Sequence, residues 1–388
     1  MSSNRQRLPR STIVKVIAVF WTFLVMGASD AAYGLETYYE ISHTAVSLLF
    51  LSPVCGYTLA ALLNNAIHVQ LSHRGIAFIS ATCHLLTFSI ASLHPRYPIL
   101  VLSFALSGFQ NGLADSGWNA WISSLPTANE LLGLLHGLYG VGAVISPLIV
   151  SGLVAKATIP WFRFYNIMAA CAAIEAVVCT VAFSDARPIP SEASEDPNES
   201  HHGGLRLEVA LGGWTVVFMM EVRHGTPFAR GMAVTGFWLR LTCGQMLLGF
   251  VTPRIGEELS VTLYSPLVII CGLIFWFVPN FYVSAVAVSV RGFFLGPLSP
   301  VLIVLATKLI PQSLHVSAIG FASAIGGAVA TLLPFAIGAM AQAKGVQIVQ
   351  PFIIGLSVAM LTLWLWLWRI SESELGPKRK QQRDQQEP

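Results

Sequence analysis

Hydrophobic residues dominate this chain in long runs that short polar segments separate. A helix that crosses the ~30 Å hydrocarbon core of a bilayer needs roughly 20 apolar residues, and runs of that length recur along almost the whole sequence. The pattern predicts about twelve membrane-spanning helices, which we call spans one to twelve. Their predicted bounds are 12–34, 45–67, 75–93, 98–122, 131–155, 161–183, 205–222, 229–252, 260–279, 282–306, 314–341 and 347–369.

One polar segment interrupts this rhythm between spans six and seven. Residues 184–206 are rich in Pro, Ser and acidic residues and have no hydrophobic period, which is typical of a disordered linker. The sequence therefore predicts an all-α polytopic membrane protein with two helical domains. The predicted parts are a cytoplasmic N-terminal tail (1–11), a six-helix bundle (12–183), a cytoplasmic linker (184–206), a second six-helix bundle (207–370) and a cytoplasmic basic tail (371–388).

The two predicted bundles share a sequence pattern at an offset of about 187 residues. Glycines and prolines match with the same local spacing: Gly108 and Gly112 correspond to Gly292 and Gly296, and Gly140 and Pro147 correspond to Gly327 and Pro334. A repeat of six helices is typical of transporters whose two bundles rock around a site near the bilayer midplane. Gly140, Pro147, Gly327 and Pro334 are therefore predicted to serve helix packing and gating.

Composition and charge support a membrane protein and exclude several other classes. The chain is 54% hydrophobic and 11% charged, with a formal net charge of +3. Most loop lysines and arginines fall on the side of both termini, which predicts cytoplasmic termini and no nucleic-acid partner. The first apolar run has helix length and is expected to be retained. The six cysteines fall inside predicted spans without a CxxC pair, so neither disulfides nor metal sites are indicated.

The charged residues well inside the predicted spans are Asp30, Asp115, Glu175, Arg240 and Arg291, and Glu208 and Glu221 lie near the ends of span seven. Each costs ~2.5 to 3.5 kcal/mol at a helix centre on insertion scales, so such residues usually face a bundle interior or a wet cavity. Arg291 is expected near the depth of Asp30, where the two could form a charge pair across the bundles. The alternative is that Arg291 reaches toward the interface or bonds backbone carbonyls.

Span four carries a polar face. Asn111, Asp115, Trp118 and Asn119 fall within an arc of about 100° on a helix. This face is predicted to contact the solute. The alternative is a polar seam that joins span four to a neighbouring helix, since buried amides commonly bond across helices. His136 in span five is interpreted as a packing residue in preference to a proton carrier.

The chain resembles the major facilitator superfamily, and within it the fungal fucose-permease-like branch that includes the bypass-of-stop-codon transporters. The residues that carry the resemblance are "GASDAAYG" (27–34), "LSPVCGYTLAALLNN" (51–65), "GFQNGLADSGWNAWI" (108–122), "GGWTVVFMMEVRHG" (212–225), "GFVTPRIGE" (249–257), "GFFLGPLSP" (292–300) and "HVSAIGF" (315–321). The resemblance implies that spans one, four, seven and ten line a central cavity. It also implies that acids on spans one and four, here Asp30 and Asp115, support proton coupling.

The cavity position implied by this resemblance adds three residues to the polar face of span four as expected solute contacts. These are Tyr33, Trp214 and Arg291. Arg254, in the loop after span eight, is expected to take part in gating because it matches part of the family's loop signature.

Two departures weaken the resemblance. The acid of the superfamily's loop signature is replaced by Ser72 after span two and by Pro253 after span eight, which puts latching through these loops in doubt. Span seven has only 18 residues, which at ~1.5 Å per residue barely cross the bilayer. Either the chain is a natural variant or coding sequence is missing there.

These observations predict a secondary transporter of a small organic molecule that is monomeric, coupled to protons and placed in the plasma membrane. Fungal metabolite efflux is the leading hypothesis. Uptake of a sugar-like solute is one alternative, and a non-transporting receptor or degenerate relative is another. No nucleotide-binding glycine loop or Ser-His-Asp order is present, so ATP-driven pumping, enzymatic activity and a bound cofactor are not expected.

Overall fold

The computed structural model describes residues 8–31, 43–157, 159–186, 222 and 227–384. Within these residues the chain is helical and contains no β-strand. We refer to the described residues up to 186 as the first half and to those from 222 onward as the second half. The fold class is thus confirmed as all-α. The predicted span seven (205–222) and nearly all of the predicted linker lie outside the described residues.

The helices of the first half follow the predicted spans closely. They are α1 Arg10–Asp30, α2 His43–Ser92, α3 Tyr97–Ser123, α4 Ala128–Ala157 and α5 Phe164–Ala182, the last preceded by the 3-10 turn Trp161–Arg163. We call the end of the molecule where α1 begins the Arg10 end and the opposite end the Asp30 end.

Spans two and three are the two arms of α2, which meet at Ser72. Ser72 has φ 59° and ψ −169°, outside the helical region. Pro53 in the first arm packs against Gly108 of α3, and the Thr87 hydroxyl in the second arm donates to the Ser103 carbonyl of α3 at 3.0 Å. The outer parts of both arms therefore lie beside the first turns of α3, so the chain reverses direction at Ser72.

The second half contains α6 Pro227–Ile255, α7 Glu257–Phe277, α8 Phe281–Leu295, α9 Leu298–Leu309, α10 His315–Lys344 and α11 Val349–Asp384. Span ten, predicted as one helix over 282–306, is broken between α8 and α9 at Gly296 and Pro297. Proline has no N–H to continue the ladder and its ring crowds the preceding turn. Span twelve, predicted to end at 369, continues as α11 into the predicted basic tail.

Seven helical stretches in the described part of the chain are long and apolar enough to cross a membrane. They are Arg10–Asp30, Leu51–Ser92, Ala128–Val150, Phe164–Ala182, Glu257–Phe277, Phe281–Lys308 and Val346–Trp366. The stretch Leu51–Ser92 holds both arms of α2. Large apolar side chains such as Leu62, Leu102 and Val181 remain exposed on the outer surface, as expected of helices that face lipid.

Each half has its own apolar core. In the first half, Phe104, Phe164 and Tyr165 belong to a cluster at the Asp30 end, and a second cluster around Phe23 and Trp118 fills the Arg10 end. In the second half, one large cluster joins α6, α7, α8, α10 and α11. The functional polar groups described next lie between these apolar layers of the first half.

Candidate functional site

A carboxylate at the end of α1 joins three helices of the first half. Asp30 Oδ1 accepts a hydrogen bond from Asn111 Nδ2 of α3 at 3.0 Å, and Asp30 Oδ2 accepts from the Tyr139 hydroxyl of α4 at 2.9 Å. Close helix approach makes this geometry possible, since Gly27 of α1 lies directly against the Tyr139 backbone and leaves no room for a Cβ. Asp30 is only partly buried. Its carboxylate therefore accepts from two donors and still retains some exposure to solvent.

A second carboxylate lies one helical turn away along α3. Asp115 Oδ1 accepts from Asn119 Nδ2 at 2.8 Å, and Asn119 Oδ1 lies 3.2 Å from His136 Nε2 of α4. An amide oxygen only accepts hydrogen bonds, so Nε2 of His136 carries the hydrogen in this arrangement. Asp115 and Asn119 are 2% and 0% exposed. This group is therefore sealed inside the first half.

The two carboxylates form parallel rungs between the same helices. Asn111 and Asp115 are four residues apart on α3, and His136 and Tyr139 are three residues apart on α4, so each pair lies on one helix face. One rung holds Asp30 and the other, one turn of about 5.4 Å nearer the Arg10 end, holds Asp115. The two acids therefore lie at different depths in the bundle.

The predicted polar face of α3 lies against helices of its own half. Its amides bond to Asp30 of α1 and to His136 of α4. This geometry is that of the polar seam, which the sequence left open as the alternative to an open solute surface. Such a seam still holds ionisable groups at fixed positions, so it can store and release protons.

Trp118 lies in the apolar core. It is fully buried, its ring centroid is 4.7 Å from that of Phe183, and it stacks on His73 at 6.2 Å. The sequence predicts that this residue contacts the solute, but the structure packs it against His73 of α2 and Phe183, just after α5. Helix periodicity places Trp118 on the same side of α3 as Asn111. In the structure, however, the Trp118 ring packs against His73 and Phe183.

Arg291 also lies away from the polar rungs. Its guanidinium is fully buried and Nη2 lies 3.4 Å from Ser357 Oγ of α11. A Cβ at Gly272 of α7 would lie 3.0 Å from Cζ, so the side chain is packed between α7 and α11. The structure does not bring Arg291 to Asp30, so the predicted charge pair is not formed in this conformation.

Another pair of ionisable groups joins α2 to α5. The sequence did not predict this contact. His84 Nδ1 of α2 lies 2.8 Å from Glu175 Oε2 of α5, and both side chains are 0% exposed. Phe88 stacks on His84 with ring centroids 5.0 Å apart. Glu175 was recognisable as an intramembrane charge, but its partner was not, because the two residues are distant in sequence.

The two halves contact each other at the Arg10 end through glycines of α4. A Cβ at Gly133 would lie 2.5 Å from the Gln245 carbonyl oxygen of α6 and 3.0 Å from Gly249 Cα. Gly140, a predicted gating residue, lies against Thr242 of the same helix. The glycines thus allow backbone-to-backbone contact between the halves.

A second contact between the halves involves α10. Gly320 packs against Asn64 of α2 and Ser116 of α3, which are themselves hydrogen-bonded to each other. Gly327, another predicted gating residue, lies near the Tyr57 ring. Both contacts join α10 to the first half. Pro147 and Pro334 lie within α4 and α10, and Tyr33 and Trp214 lie outside the described residues.

Glu257 connects the halves through hydrogen bonds at the Arg10 end. Its Oε1 accepts from Asn129 of α4 at 2.7 Å and from Lys308 of α9 at 2.6 Å. Asn129 belongs to the first half and Lys308 to the second. Arg254, predicted from the loop signature to take part in gating, is exposed at the end of α6. The carboxylate missing from the loop signature is thus present a few residues further on, at Glu257.

An ion pair at the Arg10 end involves an acid outside the spans. Lys15 Nζ lies 2.7 Å from Asp185 Oδ1 at the Arg10 end, and the hydrogen bond from Lys15 holds the pKa of the exposed Asp185 carboxyl below its ordinary value. Among the described residues no group of three or more His, Cys, Asp or Glu is placed to hold a metal ion.

The comparisons with known proteins agree with this architecture. A family model described as Major Facilitator Superfamily matches residues 207–387. The chain is 28% identical to Bypass of stop codon protein 6 of Saccharomyces cerevisiae over 421 residues, a match that covers 93% of this chain and 83% of the yeast protein. It is also 28% identical over 147 residues to the multidrug efflux pump SdrM of Staphylococcus aureus, covering 36% of this chain and 32% of the pump.

Among solved structures, the fold is similar to that of the fucose:proton symporter FucP of E. coli. The two share 14% sequence identity with a TM-score of 0.70, and the match covers 92% of this chain and 98% of FucP. At this identity the likeness shows the fold alone. The match includes nearly the whole length of both chains.

Proposed function

We propose that this chain is a transporter of the major facilitator superfamily, in its bypass-of-stop-codon-like branch, and that it couples the movement of a small organic solute to protons through Asp30 and Asp115. The chain is a multi-pass membrane protein of a transporter family. The observation that carries the proposal is the pair of polar rungs, in which each carboxylate accepts hydrogen bonds inside a low-dielectric bundle. Proton exchange at such groups is sensitive to small changes in helix position.

The transport cycle requires the two halves to part where they now touch. The contacts of Gly133, Gly320 and Glu257 all join the halves at or toward the Arg10 end. With both termini in the cytoplasm, as the loop charges predict, this conformation is closed toward the cytoplasm. Rocking would separate α4 from α6 and shift α4 against α1 and α3. Because Tyr139 and His136 are on α4, the same motion would alter the donors that face both carboxylates.

Solute contact is proposed for the polar rungs and the space beside them. Asp30 retains exposure, while Asn111, Asp115 and Asn119 become accessible to solute only when α4 moves. Trp118 and Arg291 are packed in their own halves and would contact solute only after larger rearrangement. Tyr33 and Trp214 remain candidate contacts by sequence position.

The direction we propose is efflux across the plasma membrane. The multidrug efflux pump SdrM is a relative over part of the chain, and the described residues hold few fixed charges between the helices. Efflux coupled to protons is then an antiport, in which protons enter as solute leaves.

Reconstitution into liposomes tests this proposal directly. Purified protein is placed in phosphatidylcholine and phosphatidylglycerol vesicles that contain the pH dye pyranine, and ethidium, salicylate and L-fucose are added one at a time. We expect at least one solute to cross with accompanying proton movement. Asp30→Asn and Asp115→Asn should abolish the proton movement while solute exchange without a gradient persists.

The matched control is Asp185→Asn, which makes the same chemical change at an exposed acid outside the spans. This variant should transport like the unmodified chain. Solute transport without proton movement, or unchanged proton coupling in Asp115→Asn, would contradict the proposal.

Uptake of a sugar-like solute is the second candidate, because the amides of α3 can bond hydroxyl groups and the neighbour FucP is a fucose:proton symporter. In the same vesicles, L-fucose rather than ethidium or salicylate would then drive proton movement, with protons and sugar moving in the same direction. Vesicles that respond to no solute would favour a receptor or degenerate relative.

A further inference from the structure

His136 is linked to Asp115 by a single amide. Asn119 donates from Nδ2 to Asp115 at 2.8 Å, and its Oδ1 lies 3.2 Å from His136 Nε2. The Asp115 and Asn119 side chains are buried, and His136 is only 9% exposed. Hydrogen bonds at such a site depend on the partners that packing supplies.

The orientation of the Asn119 amide follows from the charge on Asp115. An ionised carboxylate accepts and cannot donate, so the NH2 group of Asn119 must face it. The amide oxygen then faces His136 and requires a donor there. His136 provides this donor through its Nε2 hydrogen. One orientation of the Asn119 amide therefore satisfies both an ionised Asp115 and a His136 that donates from Nε2.

We propose that His136 is a positioning residue for Asp115, which acts through Asn119 to favour the ionised carboxylate. Without a donor at position 136, the buried amide oxygen would lack a partner. This oxygen can then gain a partner if the Asn119 amide rotates by about 180° and Asp115 is protonated. Asp115 takes the proton from the aqueous phase and donates a hydrogen bond to the amide oxygen. Losing the His136 donor therefore favours the protonated acid.

The groups beside His136 come from three helices. From α1, Phe23 packs edge-on with ring centroids 5.6 Å apart, and Asp30 is bonded to Tyr139 one turn further along α4. From α3 come Asn119 and Asp115. From α6, the neighbours of the adjacent α4 glycines are Thr242, Gln245 and Met246, none of which is titratable.

Movement of α4 gives this link a role in transport. His136 lies on α4 between Gly133 and Gly140, two of the glycines that contact α6 of the other half. A shift of α4 relative to α3 would lengthen the bond between His136 and Asn119. The proton affinity of Asp115 would then depend on the position of α4. This role rests on the proposed proton coupling through Asp115.

A packing role for His136 makes a different demand on the side chain. If the imidazole only fills space beside Phe23, an aromatic ring of similar shape should replace it. If it supplies the donor to Asn119, a side-chain amide should replace it, because glutamine can present an N–H near the position of Nε2. His136→Phe and His136→Gln therefore separate the two roles.

Infrared spectroscopy of the full chain in lipid vesicles measures Asp115 without any solute. A pH titration follows the band of the protonated carboxyl, and the part that disappears in Asp115→Asn belongs to Asp115. We expect the midpoint of this band to move to higher pH by about one unit in His136→Phe, since a hydrogen bond to the charged form is lost. His136→Gln should stay close to the unmodified chain.

Tyr139→Phe is the matched control, because it removes a donor from Asp30 one turn away. It should shift the band lost in Asp30→Asn and leave the Asp115 band in place. Gel filtration and thermal unfolding identify variants that do not fold. If His136→Phe does not fold, His136→Gln is compared with His136→Asn, whose shorter amide does not reach Asn119.

Two results would overturn the inference: an Asp115 midpoint that is the same in His136→Phe and the unmodified chain, or a midpoint that His136→Gln shifts as far as His136→Phe does. Failure of the proposed function is distinguishable. In that case the midpoint depends on His136 as expected, but the vesicle assay shows no proton movement with any solute.

Discussion

The two halves of the molecule bury charge in different ways. Behind α3 in the first half, His84 and Glu175 form a fully buried pair at 2.8 Å. In the second half, Arg291 of α8 is equally buried, but its hydrogen-bond partner is the Ser357 hydroxyl at 3.4 Å. Its Nε and Nη1 have no hydrogen-bond partner.

The difference separates ionisable groups that can change their charge from one that cannot. Histidine and glutamate can neutralise each other by moving one proton, whereas a guanidinium stays charged in proteins. Together with Asp30, Asp115 and His136, the described residues of the first half hold the buried groups suited to proton chemistry. The second half carries a fixed buried cation.

Breaking the buried pair should give the largest effect. His84→Leu leaves the Glu175 carboxylate without its partner, and we expect a loss of about 3 kcal/mol in the free energy of unfolding. Denaturant titration in detergent micelles measures it. The double variant His84→Leu with Glu175→Leu should recover most of the loss, because replacing both members of a buried pair by apolar residues is often nearly neutral. A double variant as unstable as the single one would mean that volume matters more than charge.

Interfering with the contact between the halves should have the next largest effect. In Gly133→Ala the new Cβ would meet the Gln245 carbonyl at 2.5 Å, so the backbones of α4 and α6 must separate. We expect a cost of about 2 kcal/mol for this closed arrangement, seen as faster hydrogen exchange in residues 128–140. Gly355→Ala is the control, since a Cβ there has no neighbour within 4 Å. Equal exchange in both variants would contradict the close contact.

Removing the lone cation should have a smaller effect of opposite sign. Arg291→Met replaces a buried guanidinium by an apolar side chain of similar length, and we expect a gain of about 1 kcal/mol in unfolding free energy. The same denaturant titration applies. A loss of stability instead would show that Arg291 is compensated in the folded state, which would remove the contrast between the halves.

The smallest effect is expected at Glu257. Glu257→Ala removes the bond to Asn129 between the halves and that to Lys308 within the second half, at a cost of about 0.5 kcal/mol for partly exposed groups. Lys308→Ala removes only the bond within the second half. Hydrogen exchange in residues 128–140 should therefore quicken in Glu257→Ala and not in Lys308→Ala. If both variants exchange alike, Glu257 does not hold the halves together.

The sequence predicted the helices well because their apolar lengths and polar breaks are local properties. It also located Asp30, Asp115 and the amides of α3. It did not identify their partners, because the rotation of each helix about its own axis is set by packing with distant segments. Trp118 shows this limit: its spacing placed it with Asn111, yet Phe183 and His73 cover it.

The direction of a side chain could not be predicted by counting residues. Counting residues placed Arg291 near the level of Asp30, but the side chain packs toward Gly272 and Ser357. The break at Gly296 and Pro297 was visible in the sequence as a proline inside a span. The contact through Glu257 was not, because the loop signature directed attention to the position that Pro253 occupies.

The reversal of the chain at Ser72 has a consequence for biosynthesis. Two arms of α2 joined by a single non-helical residue leave almost no polar loop between them, and Gly75 lies directly against Leu71 across the turn. We expect the pair to enter the bilayer together during translation, as a preformed helical hairpin, and to leave a protease or an inserted epitope little accessible chain at this point. The corresponding turn of the second half, between α6 and α7, has Gly256 at φ 90°, so we expect a similar hairpin there.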